Sequence, residues 1–155
     1  KKKIIMHLNK SIKIKPNFSC SYVALADFYQ NIGDLSLALE QINIGIKIEK
    51  IYIKEITNEL NSIGNFDKIN IFKKKSAQLL KCNENLSNYS LKKSKIYIKI
   101  KNMKNARLSL MESIEFNSLA AESYYLLHKI ESNKQKAKQY LNIAIEIDPE
   151  YSLKH

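Results

Sequence analysis

Glycine and proline are scarce in this 155-residue chain, with three Gly and two Pro. These are the residues that most often break helices or mark turns, so their rarity leaves long stretches free to stay helical, and an all-α fold is expected. Cysteine is too sparse for a disulfide framework. Cys20 and Cys82 lie far apart and neither stands in a CxxC spacing, so no metal site is expected, and a reducing, intracellular and cytoplasmic setting fits. No apolar run approaches the roughly 20 residues that cross a bilayer, and no charged-then-apolar leader with a cleavage site is present. Arginine occurs once, at Arg107. A Gly-rich phosphate loop, an HExxH pair and a zinc pattern are all missing. His7, His128 and His155 are scattered, with no Asp or Ser at a matching spacing and no Cys nearby in sequence. Catalysis, metals and cofactors are therefore not expected, and His128 reads as a packing residue on a helix.

The chain does have 23 Ile, 25 Lys and 16 Asn, with a net charge of +11. Such a charge suits nucleic acid, an anionic membrane or an acidic partner. It is equally what A/T-rich codons produce when Lys, Asn and Ile drift onto solvated faces. The length allows one domain with a real core. The first residue is not Met, and the last segment, PEYSLKH, reads as a helix cut short, so a piece of a longer protein is expected.

Periodicity organises the rest. Tyr22, Leu25, Ala26 and Tyr29 recur at steps of three and four, and Ala38, Ile42 and Gly45 do the same, so each set shares one helix face. Between them Gly33 can take the positive φ that closes the first helix, and Asp34 can cap the second. The second-helix pattern recurs at Ile4, Leu8, Ser11, with Pro16 beyond; at Ala106, Leu110, Ser113; and at Ala137, Leu141, Ala144, with Pro149 beyond. From Ser11 to Gly45 is 34 residues, from Gly45 to Ser113 twice that, and from Ser113 to Ala144 31. Tyr97 follows Tyr29 by 68 residues, Ser94 takes the small-residue place, and Tyr124 and Leu127 repeat the three-residue step.

At this point the chain resembles the tetratricopeptide repeat family, whose pattern is W-x2-L-G-x2-Y, A-x3-F and P on a 34-residue helix–turn–helix. Tyr22 stands for the Trp, Leu25 for the Leu, Ala26 for the Gly, Tyr29 for the Tyr, Ala38 for the Ala and Ile42 for the Phe. The middle unit departs from this pattern. It is placed only by setting Gly64 opposite Gly33, with Ile53, Ile56, Thr57 and Leu60 on its packing face, and Ile69 stands where a small residue belongs. The last unit is three residues short between its helices. The resemblance implies an all-α solenoid of antiparallel helix–turn–helix repeats: a trailing helix in 1–18, repeats over 19–49, 50–83, 87–118 and 119–149, and a further helix starting in 150–155. The helices are expected at 2–14, 19–31, 35–48, 52–63, 66–81, 87–100, 103–116, 119–131 and 134–147, with Asp148-Pro149-Glu150 opening the next.

Small residues belong where helix backbones approach to about 8 Å. Tyr22, Leu25, Ala26, Tyr29, Ala38, Gly45, Tyr97, Ala106, Ser113, Tyr124, Leu127, Ala137 and Ala144 are therefore read as packing. The resemblance further implies a concave groove that holds a peptide or helix of a partner protein. Its lining falls on Cys20, Val23, Asp27 and Gln30; on Ile51, Lys54, Asn58 and Asn61; on Asn88, Leu91, Lys95 and Ile98; and on Glu122, Tyr125, Lys129 and Ser132. Lys and Asn donors among apolar contacts suit an acidic or carboxylate-ended segment. The carboxylate clamp of one chaperone-binding branch is not rebuilt, because Val23 and Asp27 stand where it wants Lys and Asn. The expected function is a non-catalytic interaction scaffold. One alternative is an architectural segment gripped by its ridges. The other is a basic helical-repeat module binding RNA or DNA, for which the clusters at Lys1–Lys3, Lys73–Lys75 and Lys92–Lys95 lack Arg and interleaved aromatics.

Overall fold

The computed structural model describes residues 2–62 and 69–154. Gly64, the turn expected near it, Lys1 and His155 lie outside the described residues. Among the described residues the chain is all-α, with seven α-helices: α1 (Lys2–Ile14), α2 (Ser19–Asn31), α3 (Leu35–Ser62), α4 (Ile69–Lys99), α5 (Met103–Phe116), α6 (Ala121–Ile130) and α7 (Lys134–Ile147). A short 3₁₀ helix, Pro149–Leu153, follows. There is no strand among the described residues.

Two turns show how local chemistry sets these boundaries. At the end of α2, Gly33 takes φ +87°, Gly33 N donates to Gln30 O and Asp34 N to Tyr29 O. This pair of bonds satisfies carbonyls that the last helical turn leaves open. The Asp34 carboxylate then accepts from Leu37 N at 3.1 Å and caps α3. The same turn returns 68 residues later. Lys101 takes φ +60°, its N donates to Ile98 O, Asn102 N donates to Tyr97 O, and the Asn102 side chain accepts from Asn105 N to cap α5. A side chain with a Cβ is strained in that left-handed conformation. Lys101→Gly should therefore raise the unfolding free energy by about 0.5–1 kcal/mol, measured by urea unfolding; an unchanged midpoint would mean that Lys101 carries no strain.

The turns that follow a second helix also recur. Lys15 N donates to Ser11 O, Phe18 N to Lys15 O and Ser21 N to Phe18 O; Asn117, Ala120 and Ser123 repeat this on Ser113, Asn117 and Ala120; Asp148, Tyr151 and Lys154 repeat it on Ala144, Asp148 and Tyr151. Ser11 and Ser21 hydroxyls meet at 2.8 Å, and Ser113 and Ser123 hydroxyls do so at the same distance. Helix α6 spans 10 residues against 13 for α2.

Two expected breaks are absent. The separate helices predicted at 35–48 and 52–63 are one helix, α3, of 28 residues, and those predicted at 66–81 and 87–100 are joined through 81–87 in α4, of 31 residues. The physical reason lies in the joining residues. Ile48-Glu49-Lys50-Ile51 and Cys82-Asn83-Glu84-Asn85-Leu86 contain no Gly or Pro, whereas Pro16, Asn117 and Asp148-Pro149 stand at the turns that do form.

The chain forms two compact units, Lys1–Tyr89 and Ser90–His155, whose boundary falls inside α4. In the first unit α2 packs on α3 and α1 on α2. Its core holds Leu25, Ala26, Ala38, Ile42, Ile46, Ile56 and Leu86. In the second unit α5 packs on α6, α6 on α7 and α7 on the 3₁₀ helix. Its core holds Ile96, Ala106, Leu110, Leu127 and Ala144, with Tyr151 packed beside Ala121 and Tyr125. Among the residues read as packing, Leu25, Ala26, Ala38, Gly45, Ala106, Ser113, Leu127 and Ala144 are buried. Tyr22, Tyr29, Tyr97, Tyr124 and Ala137 are half-buried.

Candidate functional site

An open cavity of about 450 Å³ lies in the first unit, lined by the start of α2 and the middle parts of α3 and α4. Phe18, Ser19 and Cys20 enter it from the first turn of α2; Glu49, Tyr52, Ile56 and Glu59 enter from α3 at steps of three and four, with Glu55 beside them; Lys75, Gln78, Cys82 and Asn85 enter from α4 at the same steps. Only uninterrupted helices keep those rows in phase, so the two breaks that failed to form are what build this wall.

Glu49 is the distinctive group. It is 4% exposed. Its Oε1 accepts from Ser19 Oγ at 2.5 Å and from Asn85 Nδ2 at 3.2 Å, while its Oε2 is buried without a hydrogen-bond partner. An unpaired buried acceptor of this kind costs about 1–3 kcal/mol, more when charged. Ser19 Oγ and Cys20 Sγ each lie 3.3 Å from the Tyr89 hydroxyl. Burial, and then the adjacent Glu49 carboxylate, push the Cys82 thiol up to about 11, so at neutral pH it stays protonated and is a poor nucleophile. The hydrogen bond between that thiol and the Glu49 carboxylate is a weak one, because a thiol is a poor donor. Burial, and then the Cys20 contact, raise Tyr89 well above the ordinary phenol value. Glu59 pairs with Lys75, and Lys81 with Glu84 at 3.2 Å. The lining thus carries three carboxylates (Glu49, Glu55, Glu59) against two ammonium groups (Lys75, Lys81), a formal −1 in a chain of +11.

Of the residues predicted for a groove, Cys20 lines this cavity and the others fall elsewhere. Val23 is a correction: it is 6% exposed, and an atom built as a Cβ on Gly45 would stand 2.9 Å from its Cγ2, so it packs between α2 and α3. Asp27 and Gln30 are half-buried on α2. Lys54, Asn58 and Asn61 are exposed on α3, but the cavity is lined by Tyr52, Glu55, Ile56 and Glu59, an adjacent strip of the same helix. The phase of that strip is set by the buried row Ala38, Ile42, Gly45, Glu49 and Ile56, and no turn restarts it.

In the second unit Leu91 and Ile98 are half-buried, and Lys95 pairs with Glu122 at 2.7 Å. Tyr125 donates to Lys154 O at 2.9 Å and lies against Tyr151, with ring centroids 4.9 Å apart, and the Lys129 ammonium stands 5.2 Å from the Tyr125 ring. The 3₁₀ helix thus occupies part of the surface that Tyr125 would offer to a guest. His128 Nδ1 bonds Ala137 O at 3.0 Å, a packing role.

Ser19, Glu49, Tyr52 and Asn85 did not stand out in the sequence. Glu49 carries the one readable signal, a carboxylate inside an otherwise small and apolar helical row. Among the described residues no three His, Cys, Asp or Glu side chains are grouped to hold a metal ion, and no helix is long and apolar enough to cross a membrane.

No protein-family profile and no curated protein sequence matches the chain. Among solved structures it is similar to YrrB, described as a TPR protein with an unusual peptide-binding site, at 14% identity and TM-score 0.42, over 98% of this chain and 81% of that one. MamA is similar at 16% identity and TM-score 0.39, over 96% and 88%. A MamA RS-1 double mutant is similar at 10% identity and TM-score 0.39, over 92% and 82%.

Proposed function

We propose that the chain is a non-catalytic protein-interaction scaffold, an array of tetratricopeptide-like helix pairs over 19–49, 50–83, 87–118 and 119–149 that holds a segment of a partner protein. The supporting observation is the open cleft of the first unit, with Phe18 and Tyr52 exposed at its edge and a few placed polar groups inside. Apolar walls with a small number of fixed polar anchors are the usual build of a recognition site. The cleft lining includes no His, and the Cys82 thiol is held protonated. An acidic segment, if one binds, fits the exposed Lys54 and Asn58 strip of α3 better than the cleft. The architectural alternative has Ile69, Phe72 and Leu80 in its favour, all exposed on α4.

The test is selection from a displayed random-peptide library on the whole chain, followed by titration of the enriched peptides by calorimetry. Peptides that bind the parent and lose about 10-fold or more on Tyr52→Ala are the expected result, since Tyr52 is 40% exposed and its removal leaves the core intact. No enrichment, or affinities that Tyr52→Ala leaves unchanged, would overturn the cleft as the binding surface.

A further inference from the structure

We infer that the cleft of the first unit is a pocket for a primary ammonium, and that its occupant is a lysine side chain presented by a partner protein. The inference deepens the interaction reading above by naming what the cleft selects. Its anchor is the buried Oε2 of Glu49. A carboxylate that is 4% exposed, with one oxygen satisfied by Ser19 and Asn85 and the other buried in the wall of a cleft of about 450 Å³ with no donor stronger than the Cys82 thiol beside the group, is an acceptor that a stronger donor entering the cleft would satisfy.

Three features decide which donor. The lining is acidic by one formal charge in a strongly basic chain, so it favours a cation over an anion. Glu49 offers one oxygen, not two, because Oε1 is already taken by two donors. A guanidinium is best held when both oxygens of a carboxylate receive its parallel N–H groups, whereas an ammonium is a compact charge that one oxygen can hold. The approach to Glu49 is flanked by Tyr52 and Ile56, one and two helical turns along α3, and by Phe18. Those surfaces suit the four-carbon stem of lysine, and an aromatic face adds attraction for the charge. A helix dipole contributes nothing here, since Glu49 sits in the interior of α3.

The test uses small mimics, so that it stands apart from peptide selection. Nα-acetyl-lysine amide is titrated into the whole chain while the Ile56 methyl resonance is followed, assigned through Ile56→Val. The expected result is a saturable Ile56 shift with a dissociation constant on the order of 1–10 mM. The corresponding norleucine and Nε-acetyl-lysine amides, which lack the charge, should give no saturable shift, and the arginine amide should bind more weakly. Glu49→Gln, which keeps the shape of the side chain and removes its charge, should weaken the lysine mimic by about 10-fold or more. Circular dichroism establishes that the variant is folded; if it is not, the comparison of mimics on the parent chain decides. The inference is overturned by no Ile56 shift with the lysine mimic, by equal binding of the norleucine mimic, by arginine binding as well as lysine, or by folded Glu49→Gln binding unchanged. In each of those cases peptides enriched in the library selection would still support a scaffold, with a different recognition chemistry.

Discussion

Leu110→Ala lowers the unfolding free energy by about 2–5 kcal/mol, and Leu108→Ala, on the same helix two positions away, changes it by less than about 0.5 kcal/mol. Leu110 is fully buried in the core of the second unit, whereas Leu108 is 60% exposed. Removing three carbons from a close-packed position forfeits their transfer free energy and leaves a cavity that neighbours fill only in part. At Leu108 the lost contact is with water, and alanine's slightly better helix propensity offsets part of the change. Urea unfolding measures both, with unchanged slopes marking unchanged compactness. Equal losses at the two positions would mean that α5 presents a different face to its neighbours.

Gly45→Ala, which in most helix interiors stabilises by about 1 kcal/mol, is expected here to destabilise by about 1–3 kcal/mol. The added Cβ would meet Val23 Cγ2 at 2.9 Å and Ser19 O at 3.4 Å. The first is too close to be left in place, and a β-branched side chain has little rotational freedom to withdraw. Val23→Ala removes the obstructing methyl. In that background Gly45→Ala should recover most of the helix-propensity gain, giving a coupling energy of about 1–3 kcal/mol in a double-mutant cycle. Additive changes would show that α2 and α3 are farther apart at this crossing. The same close approach serves the cleft, because it lets Ser19, one helical turn before Val23, place its hydroxyl on Glu49 of α3.

Much of the helix order was legible because it rests on local chemistry. Gly33 and Asp34, Pro16 and Asp148-Pro149 each act within a few residues of their own position, and the turns they predict are present. The two joins that the repeat period demanded, near residue 50 and near residue 84, did not form, because a period is a statement about neighbours and cannot stop a helix that lacks a breaker. From those uninterrupted helices came a different face of α3 from the one predicted, with Tyr52, Glu55, Ile56 and Glu59 in place of Lys54, Asn58 and Asn61.

By itself the sequence determined an all-α chain, the 34-residue recurrence and the small buried residues, since helix periodicity, capping and close backbone contact are all encoded within a turn or two of chain. Only the tertiary structure decided that Val23 belongs to the core and that Ser19, Glu49 and Asn85 meet around one carboxylate. Those residues come from three helices separated by tens of positions, and whether a buried acceptor is satisfied depends on atoms that no local pattern brings together.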